Sequence, residues 1–280
     1  MTLPEHVGVY GGGQMGAGIA HAFLVAGARV TVIESSQEAA VAARERVETS
    51  LGGAAERGHL AEGAAPVLER LTLSTSPSAL AECGLVVEAV PEQTDLKRTV
   101  LAAIEDAASG TWVATNTSSL SVDDLASTLS RPERFIGLHF FNPVPASRLV
   151  EIVVGAKTAA DLVDLSDGWV KALGKTAITV TDSPGFASSR LGVAIALEAM
   201  RMLEEGVATA EDIDTAMELG YKHPVGPLRT SDIVGLDVRL AIAEHLAREV
   251  DERFAPPAIL REKVALGHLG RKSGQGFYAW

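Results

Sequence analysis

The chain has 280 residues, 47% of them apolar and 21% charged, which excludes a disordered protein and leaves room for one large or two modest domains. Lys and Arg number 24 against 36 Asp and Glu, a net charge of −12, so nucleic acid is excluded as a partner. The single Cys83 cannot form an internal disulfide and fits a reducing, cytoplasmic home. No Lys or Arg precedes Arg29, no long apolar run opens the chain, and the apolar stretch Leu191 to Leu203 carries Glu198 and Arg201, so neither a signal peptide nor a membrane span is expected.

In chain order, Val7 to Tyr10 is a short apolar strand, followed by a glycine cluster at Gly11 to Gly13, Gly16 and Gly18. A helical pattern (Ile19, Ala20, Phe23, Leu24) stops at Gly27, and Arg29 to Glu34 is a second strand, which completes a βαβ unit. Residues 37–50 are predicted helical. Residues 51–65, with Gly52, Gly53, Gly58 and Gly63, are expected to be a broken helix or helical hairpin. Strands are expected at Leu85 to Val90, Thr111 to Thr115, Phe135 to Phe141, Leu149 to Val154 and Ala177 to Val180, with helices over 96–108 and 159–173. This alternation predicts an α/β fold, a Rossmann-type doubly wound sheet.

At Asp182 to Gly185 the texture changes, and helical spacing continues without strand signals. Gly206 ends one helix, and Thr209 with Glu211 and Asp212 opens another. A Rossmann domain over 1–182 and a smaller all-α domain over 183–280 are expected.

Four features carry chemistry. Gly11-x-Gly13-x-x-Gly16 follows a strand and opens a helix, the arrangement that turns the chain tightly and brings a pyrophosphate to backbone N–H groups. Glu34, 18 residues after Gly16, can accept from ribose hydroxyls and would repel a 2′-phosphate, so the cofactor is NAD rather than NADP. His139 and Glu151 lie in two apolar strands. A buried charge needs a partner, and if the strands are neighbours the two make an oriented general base. Asn116 to Ser119 follows a strand's C-terminal end, where open α/β sheets bind ligands. The seven histidines are scattered without paired ligand spacing, so no metal is expected.

The segments GGGQMGAGIA (11–20), VVEAVPE (86–92), NTSSLS (116–121), RPERFIGLHFFNPVP (131–145), RLVEIV (148–153) and GRKSGQGFY (270–278) resemble the L-3-hydroxyacyl-CoA dehydrogenase family in its short bacterial form, which acts on 3-hydroxybutyryl-CoA, in family order across the chain. The resemblance implies reversible hydride transfer between NAD and an acyl-CoA. In it, His139 is the catalytic base, Glu151 the acid that orients it, and Ser118 the group that bonds the substrate's 3-oxygen. It implies a pyrophosphate loop at Gly11, Gly13, Gln14, Met15 and Gly16, a ribose acid at Glu34, and further cofactor contacts at Glu92, Lys97, Ser118, Asn142 and Lys272. Ser50 corresponds to a CoA contact, and Arg57 stands where lysine is usual. Ser118 also faces the substrate in this pattern. A homodimer through the C-terminal domain is implied as well.

Two positions depart from the family pattern: Arg148 replaces a usual lysine, and Ser189 replaces the asparagine counted among the family's active-site residues. Relatives on the same scaffold oxidise hydroxy acids without CoA, such as sugar acids or carnitine, and stand as the alternative enzyme class. The β-hydroxyacid dehydrogenases use a linker-helix lysine, which residues 186–196 lack. A non-catalytic dinucleotide sensor is the remaining reading, and the His139, Glu151 and Ser118 set argues against it.

Overall fold

The computed structural model describes residues 3–280 and divides the chain into two compact units, 1–182 and 183–280. In the first unit, β1 (His6–Tyr10), β2 (Arg29–Ile33), β3 (Leu71–Ser74), β4 (Leu85–Glu88), β5 (Trp112–Thr115), β6 (Phe135–Phe140), β7 (Leu149–Val154) and β8 (Thr176–Thr181) form one sheet in the order β3-β2-β1-β4-β5-β6-β7-β8. Every neighbouring pair is parallel except β6 and β7, which are antiparallel. The central strands are apolar runs buried on both faces, as a covered parallel sheet requires. The helices α1 (Gln14–Val25), α2 (Gln37–Glu56), α3 (Ala64–Leu68), α4 (Thr94–Ala107), α5 (Val122–Ala126) and α6 (Ala160–Ala172) accompany it. Strand order reverses between β1 and β4, the switch point at which such sheets open a crevice.

Two local expectations are corrected. The helix expected to break after residue 50 continues as α2 to Glu56, because Ala40, Ala43, Val47, Leu51 and Ala54 keep one buried face at helical spacing. That burial outweighs the roughly 1 kcal/mol that each of Gly52 and Gly53 costs in a helix. The helical-hairpin reading survives only as the short α3 that follows. Strand β3 was not expected: Leu71 to Ser74 is a four-residue edge strand, half-exposed and without period-2 contrast.

The second unit contains α7 (Ser188–Glu204), α8 (Ala210–Thr215), α9 (Pro227–Val234), α10 (Leu236–Glu249) and α11 (Ala258–Ala265). Helix α7 stops as expected, with Gly206 at φ +70° and the Val207 N–H returning to Met202 O at 2.9 Å. Thr209 caps α8 by accepting the Asp212 N–H at 3.1 Å. Val193, Leu197, Met200, Leu236 and Leu246 form its core. The tail 270–280 holds no α-helix, only a single 3-10 turn at Arg271–Ser273. It folds through short β-bridges onto the fully buried Asp232, whose carboxylate accepts from Phe277 N, Tyr278 N (both 2.9 Å) and Trp280 Nε1 (3.0 Å). A Cβ on Gly276 would lie 2.1 Å from that carboxylate, which accounts for a glycine of the tail motif. Among the described residues, no helix is long and apolar enough to cross a membrane.

Candidate active site

The glycine turn between β1 and α1 does three separate jobs. Gly11 adopts φ +95° and donates to Ile33 O at 2.8 Å, which ties the turn to β2. A Cβ on Gly16 would sit 1.7 Å from Gly11 O, so the helix packs on the turn only with glycine there. A Cβ on Gly13 meets nothing within 4 Å, because this face of the backbone looks into an open cleft.

That cleft is about 1080 Å³ and lies at the C-terminal ends of the strands. Its walls include Gly11, Gly13, Gln14 and Met15 from the turn, Glu34 and Ser35 after β2, and Glu92 after β4. Asn116 and Ser118 after β5, and His139 to Asn142 at the end of β6, complete it. Glu34 accepts the Gly12 N–H on Oε1 at 2.6 Å and the Ser35 N–H on Oε2 at 3.2 Å, which holds its carboxylate at the cleft edge. A turn whose central glycine faces open space, the first-turn N–H groups of α1 and a carboxylate at the end of β2 together fit a dinucleotide without a 2′-phosphate.

Antiparallel pairing sets His139 directly opposite Glu151. Glu151 is fully buried, and His139 Nδ1 donates to its Oε2 at 2.7 Å. A ring that donates from Nδ1 to a carboxylate carries its lone pair, when neutral, on Nε2. The Phe141 ring lies 4.4 Å from the imidazole, centroid to centroid, and limits its rotation. Asn116 Oδ1 accepts the Phe140 N–H at 2.9 Å and ties the end of β5 to β6 beside the histidine.

Ser118 sits in a turn built on Glu92. Glu92 Oε1 accepts from Thr117 Oγ1 (2.6 Å), Ser118 N (2.8 Å) and Ser119 N (3.0 Å). Burial pushes the Glu92 carboxyl up, but Lys97 and these donors overcome it and hold it below the usual carboxylate range. Lys97 does not line the cleft, in contrast to the direct cofactor contact that the resemblance implied. Its side chain is 1% exposed and its ammonium is engaged by Glu88 at 2.7 Å and by Glu92 at 3.3 Å.

A second cleft of about 660 Å³ adjoins the first, and Gln14 and Asn142 belong to both. Gln14 Nε2 donates to Asn142 Oδ1 at 3.1 Å between them. Ser50 lies on its wall with Arg46 and Thr49 of α2, facing Val144 and Pro145. The Ser50 hydroxyl is 2.9 Å from Nδ1 of buried His21, whose pKa is lowered to about 4 by burial, then by the charges of Lys175 and Arg57. Arg57 is exposed at the end of α2 and does not line this cleft. Sequence reasoning missed Arg46, one helical turn before Ser50, and the adjacent Thr49, both of which line the same cleft. Ser189 and Lys272 belong to the second unit: Ser189 is half-buried in the first turn of α7, and Lys272 pairs with the Asp237 carboxylate at 2.6 Å.

A switch-point cleft with a glycine turn, an acid after β2 and an oriented histidine defines a dinucleotide-dependent dehydrogenase. Residues 6–183 match the NAD binding domain of 3-hydroxyacyl-CoA dehydrogenase, and residues 185–280 match its C-terminal domain. The chain is 39% identical to a 3-hydroxybutyryl-CoA dehydrogenase of Mycobacterium tuberculosis, over 99% of this chain and 98% of that one. It is 38% identical to the mitochondrial hydroxyacyl-coenzyme A dehydrogenase of Sus scrofa, over 99% and 92%. The crystal structure of (S)-3-hydroxybutyryl-CoA dehydrogenase from Ralstonia eutropha superposes with a TM-score of 0.95 at 40% identity, covering 99% of both chains. The chain belongs to the 3-hydroxyacyl-CoA dehydrogenase family and is an NAD-dependent enzyme of that family. These likenesses support the acyl-CoA reading over the non-CoA alternative.

Proposed function

We propose that the enzyme interconverts short (S)-3-hydroxyacyl-CoA and 3-ketoacyl-CoA thioesters, with 3-hydroxybutyryl-CoA as the representative substrate. The observation that carries this reading is the His139–Glu151 pair at 2.7 Å, with His139 on the wall of the cleft that also holds Ser118 and the glycine turn. Bound NAD supplies the hydride acceptor. His139 Nε2 takes the proton of the C3 hydroxyl as the C3 hydride departs, and returns it in the reductive direction. Glu151 fixes the ring and stabilises the imidazolium. Ser118 holds the C3 oxygen.

Gly11, Gly13, Gln14, Met15 and Gly16 receive the pyrophosphate and Glu34 the ribose hydroxyls, with Glu92, Asn142 and Lys272 as further cofactor contacts. Ser50 and Arg57 serve the CoA moiety, and Ser189 takes the place of the usual asparagine. The enzyme works in fatty acid or related acyl-CoA metabolism, including β-oxidation, as a homodimer through its C-terminal unit. Its substrates NAD and acyl-CoA are internal metabolites, which supports a cytoplasmic home. The test is a titration with NADH followed by kcat/KM for acetoacetyl-CoA, longer 3-ketoacyl-CoAs and 3-oxoadipyl-CoA. NADH binding without reduction of any of them would overturn the reading.

A further inference from the structure

Glu88 ends β4 in the interior, and the reaction described above makes no use of it. Its Oε1 accepts from Val90 N and from Lys97 Nζ, both at 2.7 Å, and its Oε2 from Thr115 Oγ1 at 2.6 Å and Lys97 Nζ at 3.0 Å. Two arms leave this carboxylate. One runs through Lys97, which also donates to Val90 O at 3.2 Å, to Glu92 at 3.3 Å, and from Glu92 to the Thr117 hydroxyl and to the N–H and hydroxyl groups of Ser118 and Ser119. The other runs through Thr115, whose hydroxyl donates to Glu88 and accepts the Thr117 N–H at 3.2 Å. Both arms end on the turn that carries Ser118.

The charges explain why the arms hold. Lys97 is buried between two carboxylates, and removing either one strands part of a charge that water cannot reach. Glu92 is one-third exposed at the cleft, so by itself it has freedom to move, and Lys97 takes that freedom away. A buried ion pair adds little stability over an apolar pair of the same volume, whereas it orients its neighbours along fixed hydrogen-bond directions.

We propose that Glu88 is a positioning residue which, through Lys97 and Thr115, sets where the Ser118 hydroxyl stands in the cleft. Lys97 then acts through Glu92 and not on the cofactor directly. The inference rests on the reading of Ser118 as the partner of the C3 oxygen.

Four variants test it: Glu88→Gln keeps the shape, Thr115→Val removes one hydroxyl and no charge, Thr115→Ser restores that hydroxyl, and Ser118→Ala removes the positioned group. Amide hydrogen exchange over 116–120, NADH affinity and kcat with acetoacetyl-CoA are measured on each. Exchange at Thr117 to Ser119 should rise about tenfold or more in Glu88→Gln and Thr115→Val, because the acceptors of these N–H groups lose their anchors. In both, kcat should fall about tenfold or more, a larger loss than that in NADH affinity, since misplacement of Ser118 acts on the reacting geometry while the glycine turn and Glu34 still hold the cofactor. Thr115→Ser should return all three readouts to within about threefold of the wild type.

Wild-type exchange in Glu88→Gln and Thr115→Val overturns the proposal. So does raised exchange with unchanged kcat while Ser118→Ala is slow. If Ser118→Ala itself turns over normally, the reading of Ser118 fails and the network is judged on exchange alone. If Glu88→Gln does not fold, Thr115→Val carries the test, because it leaves the ion pair in place.

Discussion

Replacing Glu151 by Gln isolates the electrostatic part of the proposed mechanism. The amide oxygen can still accept the Nδ1–H bond that the carboxylate accepts at 2.7 Å, so the ring keeps its tautomer and orientation. What disappears is the negative charge that faces the imidazolium forming as the C3 proton is taken. With charge centres about 4 Å apart and an effective dielectric near 20, that attraction is about 4 kcal/mol. The amide dipole and local relaxation recover part of it, which leaves about 3 kcal/mol, or about two decades in kcat. Glu151 is not on the cleft wall, so NADH affinity should stay within about twofold. Steady-state reduction of acetoacetyl-CoA, followed by NADH absorbance, gives kcat, and a fluorescence titration gives the NADH affinity. A kcat within about threefold of the wild type would mean that no imidazolium of consequence forms opposite Glu151, and the dyad mechanism would fall.

Glu34→Ala removes the acceptor for the ribose hydroxyls and should weaken NADH binding about tenfold or more, with little gain for NADPH, measured by titration of both. His21 is held neutral, with its pKa lowered to about 4 from 6.5, so its contribution to stability is fully present above about pH 6.5 and is lost as pH falls from there towards 4. This amounts to at most about 3 kcal/mol, and the melting temperature of His21→Asn should vary less over that window than that of the wild type. Ser189→Ala should cost about 1 kcal/mol or less in kcat/KM, because water replaces a weak contact. Ser189→Asn should keep or raise activity on short acyl-CoAs and penalise bulkier ones across a 3-ketoacyl-CoA series. A thousandfold loss in Ser189→Ala would make that serine a participant in the chemistry.

The pairing of His139 with Glu151 was legible because each is the one ionisable residue in an otherwise apolar strand, and burial leaves such residues few choices of partner. The glycine turn was legible because each glycine answers a different backbone demand, and its distance to Glu34 is set by one helix and one strand. Glu88 was harder to place. It reads as another residue of a buried strand, its cation lies on the following helix, and Thr115 comes from a neighbouring strand that only the sheet order brings alongside. The position of Lys97 shows the same gap: a motif match aligns a residue with a role, but not the direction in which its side chain points. At Gly52 and Gly53 local propensity argued for a break, and the buried face from Ala40 to Ala54 overrode it.

The electrostatics of the first cleft also resolve an apparent conflict. A chain with a net charge of −12 must hold a cofactor that carries a pyrophosphate. Net charge acts at long range and is screened within about 8 Å at physiological salt, so the local donors decide. Helix α1 opens without an acidic residue in its first turn and presents backbone N–H groups and about half a positive charge to the turn. Arg46 donates to Gly12 O at 3.2 Å and adds a cation beside the loop. The acids of the cleft already have donors of their own: Glu34 takes the N–H groups of Gly12 and Ser35, and Glu92 takes Lys97 and the 117–119 turn. Their charge is therefore largely compensated where it sits, and they can serve as hydrogen-bond acceptors without repelling the phosphates from the helix end.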